Sequence, residues 1–179
     1  GGIVPQYPPA TAVFAAPFYA IWGFRGLFVL NLVSFLLVSF LLYRLTLLLF
    51  EKKALAYDAV LIFVGGTFVW EYAHAAWPHL SALAFILGSV VLAVESWRRQ
   101  GSALFALSAG LAIGLGIGIR LDVLFVVPAV LLPALTARRW RSMAYVAAGM
   151  VPGLAGLSLA NAYKFVDWSP LTYGTVGGT

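Results

Sequence analysis

The sequence predicts an all-α fold, a polytopic transmembrane bundle of about six spanning helices plus one short interfacial or half-inserted helix. Of its 179 residues, 63% are hydrophobic and only 9% are charged, whereas a soluble domain is about 25% charged. The basic residues also gather in clusters, separated by apolar runs of roughly 40 residues, which is the length of two membrane crossings. The three clusters are Arg44/Lys52/Lys53, Arg98/Arg99 and Arg138/Arg139/Arg141.

The chain begins with segments that do not span. Gly1–Pro9 contains three prolines and is predicted to be a loop. Ala10–Trp22 is apolar but short, and it contains Pro17, so we expect it to lie at the interface or to insert only halfway. Residues 1–26 therefore form an extracytoplasmic or interfacial segment.

Six apolar segments follow within residues 27–160. Several have about 17 residues, roughly 26 Å as a helix, so they can span only with little tilt or with local thinning of the bilayer. The fourth and fifth segments meet with almost no loop, which predicts a tight corner. The predicted helices are Leu27–Phe50, Ala54–Trp70, Pro78–Val94, Ser102–Ile119, Leu121–Ala137 and Ser142–Ala160. No linker divides residues 1–179, so we expect a single domain.

Charge asymmetry predicts the orientation. The three clusters hold eight of the 11 basic residues, and the opposite side holds Arg25, Arg120 and Lys164. The clustered side is therefore expected in the cytoplasm, which leaves residues 161–179 as an extracytoplasmic tail. The formal net charge of +5 comes from residues at helix ends, so the expected partner is the lipid bilayer of the plasma (inner) membrane and not nucleic acid. The absence of cysteine excludes disulfides and thiolate metal sites.

A polar and aromatic stretch lies between the second and third predicted helices. It runs from Trp70 to His79 and contains Glu71 and His74, which share a face of any helical turn because they are three residues apart. A carboxylate beside an imidazole can bind a metal or move a proton. The stretch is equally typical of an aromatic belt at the lipid headgroups. An aromatic belt, a substrate contact and a metal site all stay open.

Arg120 and Asp122 lie between the fourth and fifth predicted helices. Ionisable groups near membrane depth are costly and often functional, and the planar guanidinium suits phosphate oxygens. The alternative is that the two residues mark a loop or pair with each other. Gly110, Gly114 and Gly118 precede them at intervals of four, a spacing that favours close packing of helices. No strand precedes these glycines, so a dinucleotide-binding loop is excluded.

The end of the chain, from Asn161 to Gly174, is polar and aromatic and includes Lys164. Aromatic faces suit sugar rings or a lipid headgroup, and an ordinary loop is the alternative. The sequence contains no GxSxG, HExxH or Walker motif, so hydrolase, protease and ATPase functions have no support.

Four stretches carry a resemblance to a known family. They are Tyr7-Pro8-Pro9 with Ala15–Tyr19 and Gly23, the basic turn Arg44–Lys53, Ala109–Gly114 with Arg120, and Asn161–Gly174. In order and spacing they resemble motifs of the GT-C superfamily of membrane glycosyltransferases, nearest to the bacterial branch related to protein mannosyltransferases and the lipid A aminoarabinose transferase. The chain departs from that pattern at His79, where relatives often have Asp, and at Val166–Trp168, where a Gly is usual.

The resemblance implies an enzyme that moves a sugar from a polyprenyl-phosphate donor to an extracytoplasmic glycan, lipid or protein. It also implies a catalytic acidic residue in a loop upstream of Gly1, which acts either as a base or as a ligand of a divalent metal. We therefore expect the chain to be a fragment of a larger enzyme and to be inactive alone. Three acidic residues lie on the extracytoplasmic side, and the resemblance places none of them at that position. They are Glu71, Asp122 and Asp167.

We expect one extracytoplasmic pocket to receive the donor, because most of the non-cytoplasmic ionisable groups fall in the same set of loops. The residues predicted to bind substrate are Tyr7, Glu71, His74, His79, Arg120 and Lys164. A multi-pass transporter or flippase is the alternative, and it predicts broken helices with charges at the membrane midplane. The ionisable groups lie at helix ends instead, which favours the enzyme. A purely structural subunit is a third possibility.

Overall fold

The structure is a computed structural model that describes residues 9–171. Within them the chain forms eight α-helices and one 3-10 turn, and it contains no strand. The helices are α1 Ala10–Trp22, α2 Arg25–Phe50, α3 Lys53–Gly66, α4 Val69–Ala73, α5 His79–Arg98, α6 Ala103–Ile117, α7 Val126–Thr136 and α8 Trp140–Phe165, and the 3-10 turn is Leu121–Phe125. The all-α prediction is confirmed for this part of the chain.

Three helices, α2, α5 and α8, are long and apolar enough to cross a membrane, as in a multi-pass membrane protein. The others are shorter. The 14 residues of α3 and the 15 of α6 extend about 21–23 Å at ~1.5 Å per residue, less than the ~30 Å of a bilayer core. Length alone therefore supports three of the six predicted spans.

Two predicted helices are interrupted, each for a local reason. The segment Ala54–Trp70 divides because Thr67 takes an extended conformation after α3, and its hydroxyl donates to the Phe63 carbonyl at 2.6 Å and accepts from the Val69 N–H at 3.3 Å. The segment Leu121–Ala137 begins with the 3-10 turn. The regular α-helix begins only at Val126, which puts Pro128 in its first turn, where the missing N–H is not needed.

Contacts at the helix termini define two ends of the bundle. At the basic end, the Arg44 guanidinium lies 2.8 Å from the Glu95 carboxylate, and Arg139 Nη1 donates to the Trp97 carbonyl at 2.9 Å. The opposite end is called here the His79 end, because α5 begins there with His79. At this end the Ala10 N–H donates to the Gly118 carbonyl at 3.0 Å. The contacts therefore bring the C-termini of α2 and α5 and the N-terminus of α8 to one end, and the N-terminus of α1 and the C-terminus of α6 to the other.

The core lies where α5, α6 and α8 meet. Ile113 and Ile117 of α6 are fully buried, and α6 and α8 approach closely through glycines on both helices. A Cβ on Gly114 would lie 2.5 Å from the Met150 carbonyl oxygen, and Cβ atoms on Gly110 and Gly149 would overlap backbone carbonyls of the facing helix. The close helix packing predicted for Gly110 and Gly114 is thus confirmed.

Candidate functional site

A chain of three ionisable side chains lies at the His79 end. Arg120 uses Nε and Nη2 to bind the Asp122 carboxylate at 2.8–3.0 Å, and its Nη1 lies 2.7 Å from His79 Nε2. Of the alternatives for Arg120 and Asp122, their pairing is the one that the structure shows. The imidazole adds a third member, and it lies 41 positions away in the sequence.

Three local structures position these groups. Arg120 is extended, with φ −150° and ψ 132°, because the chain turns sharply from α6 into the 3-10 turn. Asp122 lies in that turn, two residues on, where its carboxylate returns to the guanidinium. His79 is the first residue of α5, directly after Pro78, and proline suits a helix start because its missing N–H is not needed there.

The contact fixes the protonation of His79. A guanidinium only donates hydrogen bonds, so His79 Nε2 accepts from Arg120 and the proton of the neutral ring lies on Nδ1. Nδ1 is buried and has no hydrogen-bond partner within residues 9–171. The rings of Tyr72 and Trp77 pack on this imidazole, with centroids 4.8 and 5.5 Å away. His79 is therefore held as a neutral acceptor between an arginine and two aromatic rings.

Asp122 responds to the same arginine. The hydrogen bonds from Arg120 hold the pKa of the Asp122 carboxyl below its ordinary value, and they outweigh burial, which acts in the opposite direction. Asp122 lies in the 3-10 turn, outside the three long helices. At neutral pH the cluster thus contains one cation, one anion and a neutral imidazole.

His79 also lines an apolar cavity of about 290 Å³ between α3, α4 and α5. Its other walls are mostly hydrophobic side chains, with Phe63, Phe68 and Leu83 among them. A second apolar cavity, of about 220 Å³, lies between α1, α6 and α8, beside Gly114 and Gly153. His79 lies on the wall of the first cavity, whereas none of the described ionisable side chains lines the second. The first cavity is therefore the one next to the ionisable cluster.

The structure brings together only part of the predicted site. His79 and Arg120 are in contact, whereas Glu71 and His74 are exposed on or just after α4. His74 Nδ1 donates to the Trp70 carbonyl at 2.9 Å, and its ring stacks on the Trp70 ring. Lys164 is partly buried near the C-terminus of α8. Neither Glu71 nor Lys164 forms an ion pair within the described part of the chain, and Tyr7 lies outside the described residues.

The polar stretch at the end of the chain continues α8 before it turns. Helix α8 reaches Phe165, five residues beyond the predicted end at Ala160. The Asn161 amide then donates to the Ser169 carbonyl at 2.8 Å, so the chain after the helix folds back on its last turn. Trp168 and Tyr163 are exposed here.

Among the residues that the structure describes, no three His, Cys, Asp or Glu side chains lie close enough together to hold a metal ion. They do not form a divalent-metal site on their own. Asp122 and His79 are both bound to Arg120, and a guanidinium between two potential ligands repels a cation.

Sequence reasoning missed the aromatic neighbours of His79. None of the three alternatives for this stretch predicts that the rings of Tyr72 and Trp77 pack on the His79 imidazole. The only signal available was their spacing, seven and two residues before His79. The comparisons with known proteins do not assign the site, because no family model, no curated protein and no solved structure matches the chain.

Proposed function

We propose that the chain is part of an integral-membrane glycosyltransferase that uses a polyprenyl-phosphate sugar donor at its extracytoplasmic face. The proposal includes six membrane crossings, in which α2, α3, α5, α6, the segment from Val123 to the end of α7, and α8 each cross once, and Asp122 lies in the loop at the His79 end. The alternation of helix ends between the basic end and the His79 end supports it. The positive-inside rule then assigns the His79 end to the extracytoplasmic side.

One observation carries the function: His79, on the wall of an apolar cavity, is in direct contact with Arg120, which also binds Asp122. A polyprenyl-phosphate donor has an apolar chain joined to an anionic phosphate, so it needs an apolar surface next to a cation. Arg120 supplies the cation and a planar fork that matches phosphate oxygens. Phe63, Phe68 and Leu83 supply the apolar wall.

The transfer itself breaks the bond between the anomeric carbon and the phosphate oxygen and forms one to an acceptor hydroxyl, whose proton goes to a base. Arg120 would neutralise charge on the departing phosphate. It would then exchange some of its bonds to Asp122 for bonds to phosphate. His79 already occupies Nη1 and would orient the guanidinium. We assign no residue of this chain as the base.

The test is the donor KM of the complete protein that contains this chain, reconstituted in nanodiscs with a polyprenyl-phosphate sugar. Arg120→Ala should raise the donor KM by about 10- to 100-fold, because a charge-assisted hydrogen bond contributes about 1.5–3 kcal/mol. Arg120→Lys, which keeps the charge without the fork, should give an intermediate value. Arg25→Ala removes an exposed arginine and should leave the KM unchanged. An unchanged donor KM in a folded Arg120→Ala protein would remove Arg120 from the site.

A lipid flippase or transporter is the second candidate. The observation that favours it is the pair of interrupted passes, α3 with α4 and the 3-10 turn with α7, since discontinuous helices are typical of transporters. Proteoliposomes separate the two functions. A transferase consumes the donor only when an acceptor is present, whereas a flippase moves intact donor across the bilayer without one.

A further inference from the structure

The third basic cluster differs from the other two in its charge pairing. At the basic end, Arg44 and Arg99 both bind Glu95, at 2.8 and 3.2 Å, and Arg98 pairs with Glu51. Arg138, Arg139 and Arg141 have no carboxylate within ion-pair distance among residues 9–171. Lys52 and Lys53 of the first cluster also form none of these ion pairs, so the third cluster differs in that all of its members are arginines without a carboxylate partner in the described part of the chain.

The three arginines are exposed and line a surface cavity of about 740 Å³. Its remaining walls include Gln100, Gly101 and Tyr145, and no acidic residue lines it. A cavity that gathers three guanidinium groups without a counter-charge has a strongly positive potential. Its occupant must therefore be an anion, and the fork geometry of arginine favours phosphate oxygens.

The backbone holds these arginines in a fixed corner. The Arg138 N–H donates to the Leu135 carbonyl at 2.9 Å, and the Arg139 N–H donates to the Ala134 carbonyl at 2.8 Å. Arg138 itself takes a left-handed conformation, with φ 54°, in which non-glycine residues are uncommon. The Arg139 side chain is anchored on α5, because its Nη1 donates to the Trp97 carbonyl at 2.9 Å. The charges are thus positioned by α5, α7 and α8 together.

The surroundings place the cavity at the membrane surface. Trp140 and Tyr145 line it and are exposed, and aromatic residues of this kind lie at the headgroup level of a bilayer. Both residues belong to α8, one of the three helices long and apolar enough to cross a membrane. A phosphate group at this depth belongs to a lipid of the adjacent leaflet, since basic pockets at the cytoplasmic ends of transmembrane helices suit anionic headgroups.

We propose that the cavity formed by Arg138, Arg139 and Arg141 binds the headgroup of an anionic phospholipid in the cytoplasmic leaflet. The phosphodiester accepts from the arginines, the acyl chains lie along the exposed side of α8, and Trp140 and Tyr145 flank the headgroup. The lipid must carry a net negative charge. A phosphatidylcholine headgroup also carries a cation, and the described residues of the site include no carboxylate to bind it. The proposal requires that the chain spans the membrane, but it does not depend on glycosyl transfer.

The test compares lipid binding to the purified protein in a neutral detergent, by native mass spectrometry and by lipid-dependent thermal stabilisation. Phosphatidylglycerol should bind and phosphatidylcholine should bind at least about tenfold more weakly. Arg138→Gln/Arg141→Gln should weaken phosphatidylglycerol binding by about 25-fold, or about fivefold per charge. The matched control is Lys52→Gln/Lys53→Gln, which removes two exposed charges from another loop of the same end and should change the affinity by less than about twofold.

Three results would overturn the proposal. Equal losses in the two double variants would mean that binding follows the overall charge of this end and needs no cavity. Equal binding of the two lipids would remove the requirement for an anion. Stabilisation by inorganic phosphate at the same concentration as by phosphatidylglycerol would identify a soluble anion as the ligand instead of a lipid. A circular dichroism spectrum and a monodisperse elution profile show that each variant is folded.

Discussion

All three nitrogens of the Arg120 guanidinium form hydrogen bonds in the cluster at the His79 end. Nε and Nη2 bind Asp122, and Nη1 binds His79. The bidentate carboxylate of Asp122 fixes the plane of the guanidinium, and the His79 imidazole holds the remaining nitrogen, Nη1. The side chain is therefore pre-organised before any ligand arrives, which lowers the entropy cost of binding an anion.

The Asp122–Arg120 pair should make stability depend on pH in acid. The Arg120 hydrogen bonds lower the pKa of Asp122 in the folded chain, so the stabilisation is complete above the unfolded value of about 3.9 and is lost as the pH falls through the folded value. Wild type should exceed Asp122→Asn by about 1–3 °C in Tm near pH 7, a modest gap because the pair is partly exposed. The gap should shrink as the pH falls below the unfolded value of about 3.9 and close below the folded pKa. Asp58→Asn, at an exposed carboxyl without an ion pair among residues 9–171, should show no such change, and a gap that is constant with pH would contradict the prediction.

At this scale the sequence identified Arg120 and His79 as candidates but not their contact. A residue type and its position at a helix end can be read directly, and these two ionisable residues were candidates because few ionisable residues lie outside the basic clusters. Their pairing depends on how α5 and α6 pack, over a separation of 41 positions, and no periodicity encodes that. The hydrogen bond from Asn31 to the Ala75 carbonyl was missed for the same reason.

The packing of α6 against α8 is set by glycines, and it was the most predictable of the helix contacts. Spacing by four residues puts Gly110 and Gly114 on one face of α6, and the structure places that face against α8. The interruptions near Thr67 and Pro128 were harder to predict. Hydropathy is continuous across both, and the break arises from backbone hydrogen bonding and proline geometry.

A pair of substitutions on α8 tests this packing. A Cβ on Gly149 would overlap the Leu107 carbonyl of α6, whereas a Cβ on Gly156 would meet nothing within 4 Å. Gly149→Ala should destabilise the protein by about 1–3 kcal/mol through overpacking, and Gly156→Ala should stabilise it by up to about 1 kcal/mol through helix propensity. Unfolding in mixed micelles by titration with a denaturing detergent measures both. Equal effects would show that the two helices are not in tight contact at Gly149.

On the scale of the whole molecule, the clustering of basic residues along the sequence matches their location at one end of the bundle. The three basic clusters were predicted to share one side, and contacts such as those of Arg44 with Glu95 and Arg139 with Trp97 bring them to one end. Clustering of basic residues predicts their location well, because the bilayer core excludes charges and forces them to helix ends, however the helices pack. The charge pattern does not fix the number of crossings, since three of the proposed spans are shorter than the bilayer core.

Cysteine labelling decides between three and six crossings. The chain contains no cysteine, so single cysteines can be introduced at Lys53, Ala76 and Gln100, which are all exposed. If α3 crosses, Lys53→Cys and Gln100→Cys react with a membrane-impermeant maleimide from the cytoplasmic side, and Ala76→Cys reacts from the outside. If only α2, α5 and α8 cross, Lys53→Cys and Ala76→Cys lie on the same side and Gln100→Cys lies on the other. We expect the first pattern, because Lys53 belongs to the basic end and α3 extends from there towards the His79 end, where Phe63 shares a cavity with His79. Inverted membrane vesicles provide the control for access, since every site must then label from the opposite side.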